Sequence, residues 1–511
     1  FKDAGLTIQD KTAMSGKSAV GNQPDRSHLM LLAELLVFSI GLSGCLIMQV
    51  DRVQPSPYMD EIFHVPMAQK YCQGIYTEWD PKITTPPGLY AMSAAVLRLA
   101  GKLTGFSSTD TNSLCSVFFL RLTNLVYFLI SFLSVYGILS SPRHYDVTGD
   151  SGALPEPRVR VLKSFSVSLL PVSFFFVSLF YTDQASTACL LAAYFMQLNE
   201  HRLLAGLLGC LAVACRQTNA VWLLFFLGME LDRAWENRLR GLAKRREEDE
   251  GSEAAAPPPS LWSEASAILG HPLQFFVTGC RVAFQSWPLV AVLVAFAVLV
   301  RLNGGVALGD RSAHEARLHS PQALYFLGFC VAMHPAAAAR LVWAAARAPS
   351  AIKARWIRGM ALPIVALSAL ACLAVRYQTY EHPYLLADNR HLTFYIWQRV
   401  FQRHWLIRYL LIPAYTGSLI VYWQSVPRSC LFRLALLGCS ALALVPASLI
   451  EPRYFIAPWL LWRLSAVRHD SRRWLLAEAA YFAAVNAAVY WLFLRRPFLW
   501  PGVPEEQRFV W

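Results

Sequence analysis

The chain of 511 residues is 55% hydrophobic and only 15% charged, with a formal net charge of +13. A soluble protein carries about 25% charged residues, which excludes one large soluble domain or a string of two or three. On a membrane protein an excess of Lys and Arg marks cytosolic loops, so nucleic acid is not an expected partner.

Residues 1–28 are polar and read as a disordered cytosolic N-terminus. The chain opens on Phe1, and Met14 is a candidate start. The first apolar block, Met30 to Val50, has no cleavage pattern and is long enough to stay in a bilayer, whose core needs about 20 apolar residues per helix. Spans are expected near 29–49, 113–140, 164–181, 185–199, 202–216, 218–232, 285–302, 321–346, 359–376, 405–424, 431–449, 454–468 and 474–494. The fold class is therefore an all-α polytopic membrane protein, a bundle of about 13 transmembrane helices. Glu34, inside the first span, is expected to face the bundle interior.

Basic loops orient the chain. Arg143, Arg158, Arg160 and Lys163 mark one. Arg233 to Arg246 opens another, at the head of a charged cytosolic linker over 233–260 that ends in Ala254 to Pro259. Arg347, Lys353, Arg355 and Arg358 mark a third; Arg468, Arg472 and Arg473 mark a fourth. The block Pro87 to Gly101 either spans, which would place the basic 141–163 loop outside, or lies flat on the outer surface as an interfacial helix that Arg98 permits; the positive-inside rule favours the flat reading. The chain then divides into an N-terminal module over 29–232 with a luminal loop over 50–112, the linker, and a C-terminal module over 261–511 with a luminal loop over 377–404. Of the 11 cysteines most lie in apolar blocks, none forms a CxxC pair, and Cys72 stands alone in the 50–112 loop, which excludes a disulfide within it.

This topology gathers the polar motifs on one face. Tyr58-Met-Asp60-Glu61-Ile-Phe-His64 follows the first span. A carboxylate there is partly desolvated, which raises its basicity and suits it to take a proton from a hydroxyl. Trp79 and Asp80 follow in the same loop. Asp60-Glu61 is not a DxD metal motif. Arg216-Gln-Thr-Asn219 interrupts an apolar stretch: Arg216 either holds a lipid phosphate or pairs with Asp183 or Glu230. The loop from Tyr380 through His382, Asp388, Arg390 and His391 to Arg399 mixes aromatics with phosphate-binding side chains. Glu451-Pro-Arg453-Tyr454 reads as a site element or a helix-end salt bridge.

Together these strings resemble one family. Met59 to His64, Trp79 to Thr85, Arg216 to Asn219, His382 to His391, Glu451 to Phe455 and the closing Gln507 to Trp511 are similar to the GT-C superfamily of polyprenyl-phosphate-sugar glycosyltransferases. Within it they resemble the dolichyl-phosphate-glucose-dependent α-1,2-glucosyltransferases of the endoplasmic reticulum. The resemblance implies a GT-C-type bundle in the endoplasmic reticulum membrane whose luminal first loop carries interfacial helices and the active site. It implies dolichyl-phosphate-glucose as donor and the di-glucosylated dolichyl-diphosphate oligosaccharide of N-glycosylation as acceptor. An inverting displacement then calls for one general base, matched by Asp60 with Glu61 beside it. Arg216, His382, Arg390, His391, Arg399 and Arg453 are expected at the donor, and His64, Trp79 and Asp80 at the acceptor. Dolichyl phosphate departs as its own anion, so neither metal nor cofactor is called for. The rival readings are a lipid or sugar transporter or scramblase, a GT-C enzyme using another dolichyl-phosphate sugar, and a non-catalytic regulator.

Overall fold

The computed structural model describes residues 27–105, 111–145, 154–250, 261–309, 316–427, 429–466 and 470–511. The expected disordered N-terminus falls almost wholly outside the described residues, as do the Ala-Pro end of the linker and Arg468. Among the described residues the fold is all-α apart from a two-stranded hairpin, Phe498–Leu499 with Glu506–Gln507. Helices Ser27–Val53, Val117–Ser140, Arg358–Gln378 and Arg472–Arg495 are long and apolar enough to cross a bilayer. Large apolar side chains such as Val37, Leu207, Leu362 and Val365 lie exposed on the outside, as a lipid solvent requires.

Several expected spans are broken. The 321–346 block is two helices, Pro321–Met333 and Pro335–Arg347, meeting at 82°. His334 is at the break and Pro335 opens the second helix, where its missing N–H costs nothing. The expected 285–302 span is one helix, Trp287–Asn303, which meets a preceding helix, Pro272–Gln285, at 88°. The 164–181 block ends its first helix at Ser168, forms one turn over Pro171–Phe175, and runs irregularly to Thr182. Irregular backbone inside a bundle needs partners from its neighbours. Asn124 supplies them, donating to the carbonyls of Val177 at 3.0 Å and Leu179 at 2.7 Å. The helix that begins at Asn219 continues through the first half of the charged stretch to Glu250. Glu34 is exposed on the first helix rather than turned inward.

Polar contacts gather at two opposite poles. One holds Arg143 with Glu200, Asp232 with Ser429, and a buried network. In that network Lys163 meets Asp470 at 2.8 Å, Arg463 joins Asp470 and Glu478, and His334 reaches Glu478 at 2.6 Å. Lys163, expected as a loop cation, is thus an internal one. The basic stretches begin at this pole. The other pole holds the 54–105 segment, residues 180–183 and 216–217, the 379–392 loop, 445–453 and the closing residues.

At the second pole Glu61–Gln73 and Gly88–Thr104 pack as a pair, each ending on a left-handed glycine, Gly74 and Gly105. Arg98 donates to the carbonyls of Tyr71 and Cys72, both at 3.0 Å, and so caps the first of the two. A Cβ at Gly88 would come within 2.5 Å of the Ala214 backbone, so only glycine allows this close approach. Cys72 forms a disulfide with Cys115, at the mouth of the following helix. The bridge crosses the loop's boundary, where the expectation of an unbridged loop did not reach. Replacing both cysteines by serine is expected to lower stability by about 2–4 kcal/mol, the usual worth of closing a loop of this size. Thermal unfolding of the detergent-solubilised protein measures the loss.

Candidate functional site

The site begins with a strained turn. Met59 has φ of 57°, uncommon for a side chain of its size, and Asp60 follows as the residue before helix Glu61–Gln73. The Tyr181 hydroxyl accepts from the Asp60 backbone N–H at 3.1 Å and holds the turn. This aims Asp60 into a cavity of about 740 Å³, whose walls include Tyr58, Arg390, His391, Glu451 and Gln507. One Asp60 oxygen accepts from Arg453 at 3.0 Å. The other makes no hydrogen bond among the described residues.

Arg453 is the hub behind Asp60. Its other donors go to Glu451 at 2.6 and 3.0 Å, and Asp183 lies 3.8 Å away. Its guanidinium sits over Tyr181 and Phe176. Arg216 bonds the same Asp183 at 2.8 Å, which realises the ion-pair alternative for that residue. Burial pushes the Asp60 carboxyl up, but the charge and hydrogen bond of Arg453 outweigh it and hold the group below the usual carboxylate range. The expectation of raised basicity is therefore corrected: a cation at contact distance overrides desolvation. Burial takes His64 down to about 4 against the opposing pull of Asp60, so His64 is neutral. Its Nδ1 shares a hydrogen bond with Tyr90 at 2.7 Å.

Glu61 stands apart from its neighbour. It is fully buried and grips Arg121 with both oxygens, at 2.9 and 2.6 Å. It also accepts from the backbone of Tyr58 at 3.0 Å and Phe180 at 2.6 Å. These bonds fill its acceptor capacity, so Glu61 is an anchor of the loop and not a group facing an acceptor. Arg121, its partner, lies within an apolar block, and only the cost of a charge there flags it in the sequence.

Arg390 and His391 both line the cavity. Arg390 makes a two-pronged pair with Asp388 at 2.9 and 2.7 Å and reaches Gln507 at 3.3 Å. His391 lies 2.7 Å from the Trp511 carbonyl, so Nδ1 carries the proton. The closing residues run beside this loop, with Leu392 N–H donating to Val510 O and Val510 N–H to Arg390 O, both at 2.9 Å. Tyr58 both donates to the Arg508 carbonyl and accepts from its N–H, each at 2.7 Å.

A profile of the DIE2/ALG10 family matches residues 54–464, four-fifths of the chain. The chain belongs to the DIE2/ALG10 family. It is 35% identical over 481 residues to the Dol-P-Glc:Glc(2)Man(9)GlcNAc(2)-PP-Dol alpha-1,2-glucosyltransferase of Mus musculus, covering 92% of this chain and 96% of that one. The protein of the same name from Homo sapiens is 33% identical over 92% of this chain and 96% of its own. The Arabidopsis thaliana protein of that name is 33% identical, over 90% and 96%.

Within this DIE2/ALG10 fold the other expected site residues scatter around the cavity. His382 is buried and caps a short helix, accepting from Tyr384 N–H at 3.1 Å. Arg399 is exposed and stacks on Tyr395. Trp79 packs near Tyr90, and Asp80 accepts from Lys82 N–H at 2.9 Å to close a turn. Gln217 and Asn219, the neighbours of Arg216, have scaffold tasks. Gln217 donates to the Thr84 carbonyl at 2.6 Å and braces the Trp79 loop, while Asn219 bonds Ser186 and the Ala212 carbonyl at 2.7 Å. Sequence reading missed Arg121, and it placed Tyr58, Tyr181 and Asp388 in the motifs of this face without giving them a role.

Proposed function

We propose that this chain is an inverting α-1,2-glucosyltransferase of the endoplasmic reticulum membrane, taking glucose from dolichyl-phosphate-glucose and adding it to the di-glucosylated dolichyl-diphosphate oligosaccharide. The observation that carries the reading is Asp60, set at the wall of a large cavity with one oxygen tied to Arg453 and the other open. The acceptor 2-hydroxyl attacks the anomeric carbon from the face opposite the phosphate. The bond from that carbon to the phosphate oxygen breaks, dolichyl phosphate leaves with the electron pair, and Asp60 takes the hydroxyl proton. Arg390 and His391 receive the departing phosphate, with Asp388 and Gln507 giving up their hold on the guanidinium as it arrives. Names carried by the mouse, human and Arabidopsis relatives support the choice of sugar and linkage.

About thirteen helical legs run between the two poles in this reading, counting each broken leg once. The basic pole is cytosolic, so the Asp60 pole faces the lumen and Gly88–Thr104 lies along the luminal surface. A glycosylation tag inserted at Gly101 is then expected to be modified in cells, and a tag near Pro155 to remain bare; the opposite pattern overturns the topology. Purified protein given both lipid substrates should form the tri-glucosylated product. Absence of transfer, with lipid moving between leaflets instead, would replace the enzyme by a scramblase.

A further inference from the structure

We propose that the hairpin segment carrying Glu505 and Glu506 is the wall that recognises the terminal glucose of the acceptor, with the two carboxylates receiving its hydroxyls; this rests on the glucosyltransferase reading above. Both glutamates and Gln507 line the same cavity as Asp60. Both glutamates are exposed to it. Glu506 gives one oxygen to Arg508 at 2.8 Å and keeps the other open. Glu505 makes no side-chain hydrogen bond among the described residues.

Exposed glutamates on a surface are ordinarily solvated and mobile. The backbone beneath these two is fixed from three directions. Glu506 and Gln507 pair with Leu499 and Phe498, and Gly502, with φ of 81°, turns the chain between the strands. Arg508 is buried, donates to the Phe493 carbonyl at 2.9 Å, and is clasped by Tyr58. Val510 is joined to the Arg390 strip from the other side. The carboxylates therefore stand on a preorganised support, which is what selective recognition of a small polar group needs.

Charge decides which substrate meets this wall. The donor brings an anionic phosphate, which two carboxylates repel. The acceptor's terminal hexose is neutral and offers hydroxyl donors, and a hydroxyl bonded to a carboxylate gains a charge-assisted hydrogen bond. Arg390 lines the cavity as its cation, with His391 beside it as a further hydrogen-bonding group, so one cavity offers an anionic wall for the sugar acceptor and a cationic one for the leaving group. Asp60 shares that cavity, as it must to take the proton of a bound acceptor.

The test uses the purified full-length protein with dolichyl-phosphate-glucose and acceptors carrying two or one glucose. Glu505→Ala and Glu506→Ala are each expected to raise the KM for the di-glucosylated acceptor roughly 10- to 100-fold, the worth of a hydrogen bond to a charged group. The KM for the donor should stay within about twofold of wild type. Preference for the di-glucosylated over the mono-glucosylated acceptor should narrow, which a purely structural role would not produce. Glu505→Gln should recover part of the loss. Unchanged acceptor KM in both alanine variants of an active enzyme overturns the proposal, as does an equal rise in the donor KM. An inactive wild type overturns the enzyme reading instead.

Discussion

Asp60→Asn is expected to cut glucosyl transfer by about 10²- to 10⁴-fold, the usual contribution of a positioned general base. An amide of the same shape keeps the turn at Met59 and a bond to Arg453 but cannot take the acceptor proton, so donor binding and folding should persist. Single-turnover transfer and a donor-binding measurement on one preparation separate the two. Turnover within a few-fold of wild type would remove Asp60 from the chemistry. The pH profile gives a second handle. Arg453 holds the Asp60 carboxyl below its ordinary range, so the ionised, competent form persists into acid, and the acid limb of kcat/KM should lie below the usual aspartate value. In Arg453→Gln the cation is gone while Asp183 and Glu451 remain. Both changes raise the Asp60 pKa, and the acid limb should move to higher pH. A limb that stays in place would show that another group sets it.

The largest stability effect is expected at Glu61 and Arg121. Each is fully buried and each is the other's main charge partner. Removing one partner of such a pair leaves the other charge stranded, at about 3–5 kcal/mol. Arg121 also donates to the Gln54 carbonyl at 2.7 Å and meets Asp51 at 3.2 Å, so its loss frees the end of the first helix as well. Arg121→Met and Glu61→Met should both lower the unfolding temperature strongly in detergent, and the double replacement should recover much of the loss because no orphan charge remains. Should Glu61→Gln instead unfold like the wild type yet lose turnover, the chemical role first expected of Glu61 would be restored.

Much of this was legible before any coordinates. The apolar helices, and the existence of a helix where Pro87 to Gly101 predicts one, follow from hydropathy, which acts on whole segments. The gathering of Asp60, Arg216, Arg390, His391 and Glu451-Pro-Arg453 at one pole follows from helix parity. What stayed hidden depends on three-dimensional pairing. Glu61 and Asp60 are adjacent and chemically alike, yet one is sealed by Arg121 and the other opens to the cavity. The breaks at Ser168 and His334 lie inside blocks apolar and long enough to read as single spans, so average hydropathy merges the two halves that Pro171 and Pro335 separate. Arg399 looked like a phosphate ligand by composition, but it is exposed, stacks on Tyr395 and does not line the cavity. Arg453 changed the sign expected for Asp60 because a contact 393 residues away in sequence outweighs the local environment.

The clasp between Tyr58 and Arg508 joins residues 450 positions apart. A ribosome adding about 5–20 residues per second takes roughly 20–90 s to cover that distance. For most of that interval the newborn first loop has its strained turn and its Arg121 anchor but lacks Arg453, and to the end of it the hairpin. The pocket is therefore completed only when the last stretch of the chain has folded against Tyr58. A premature stop even a few codons before Arg508 would leave every helical leg in the bilayer and no finished pocket.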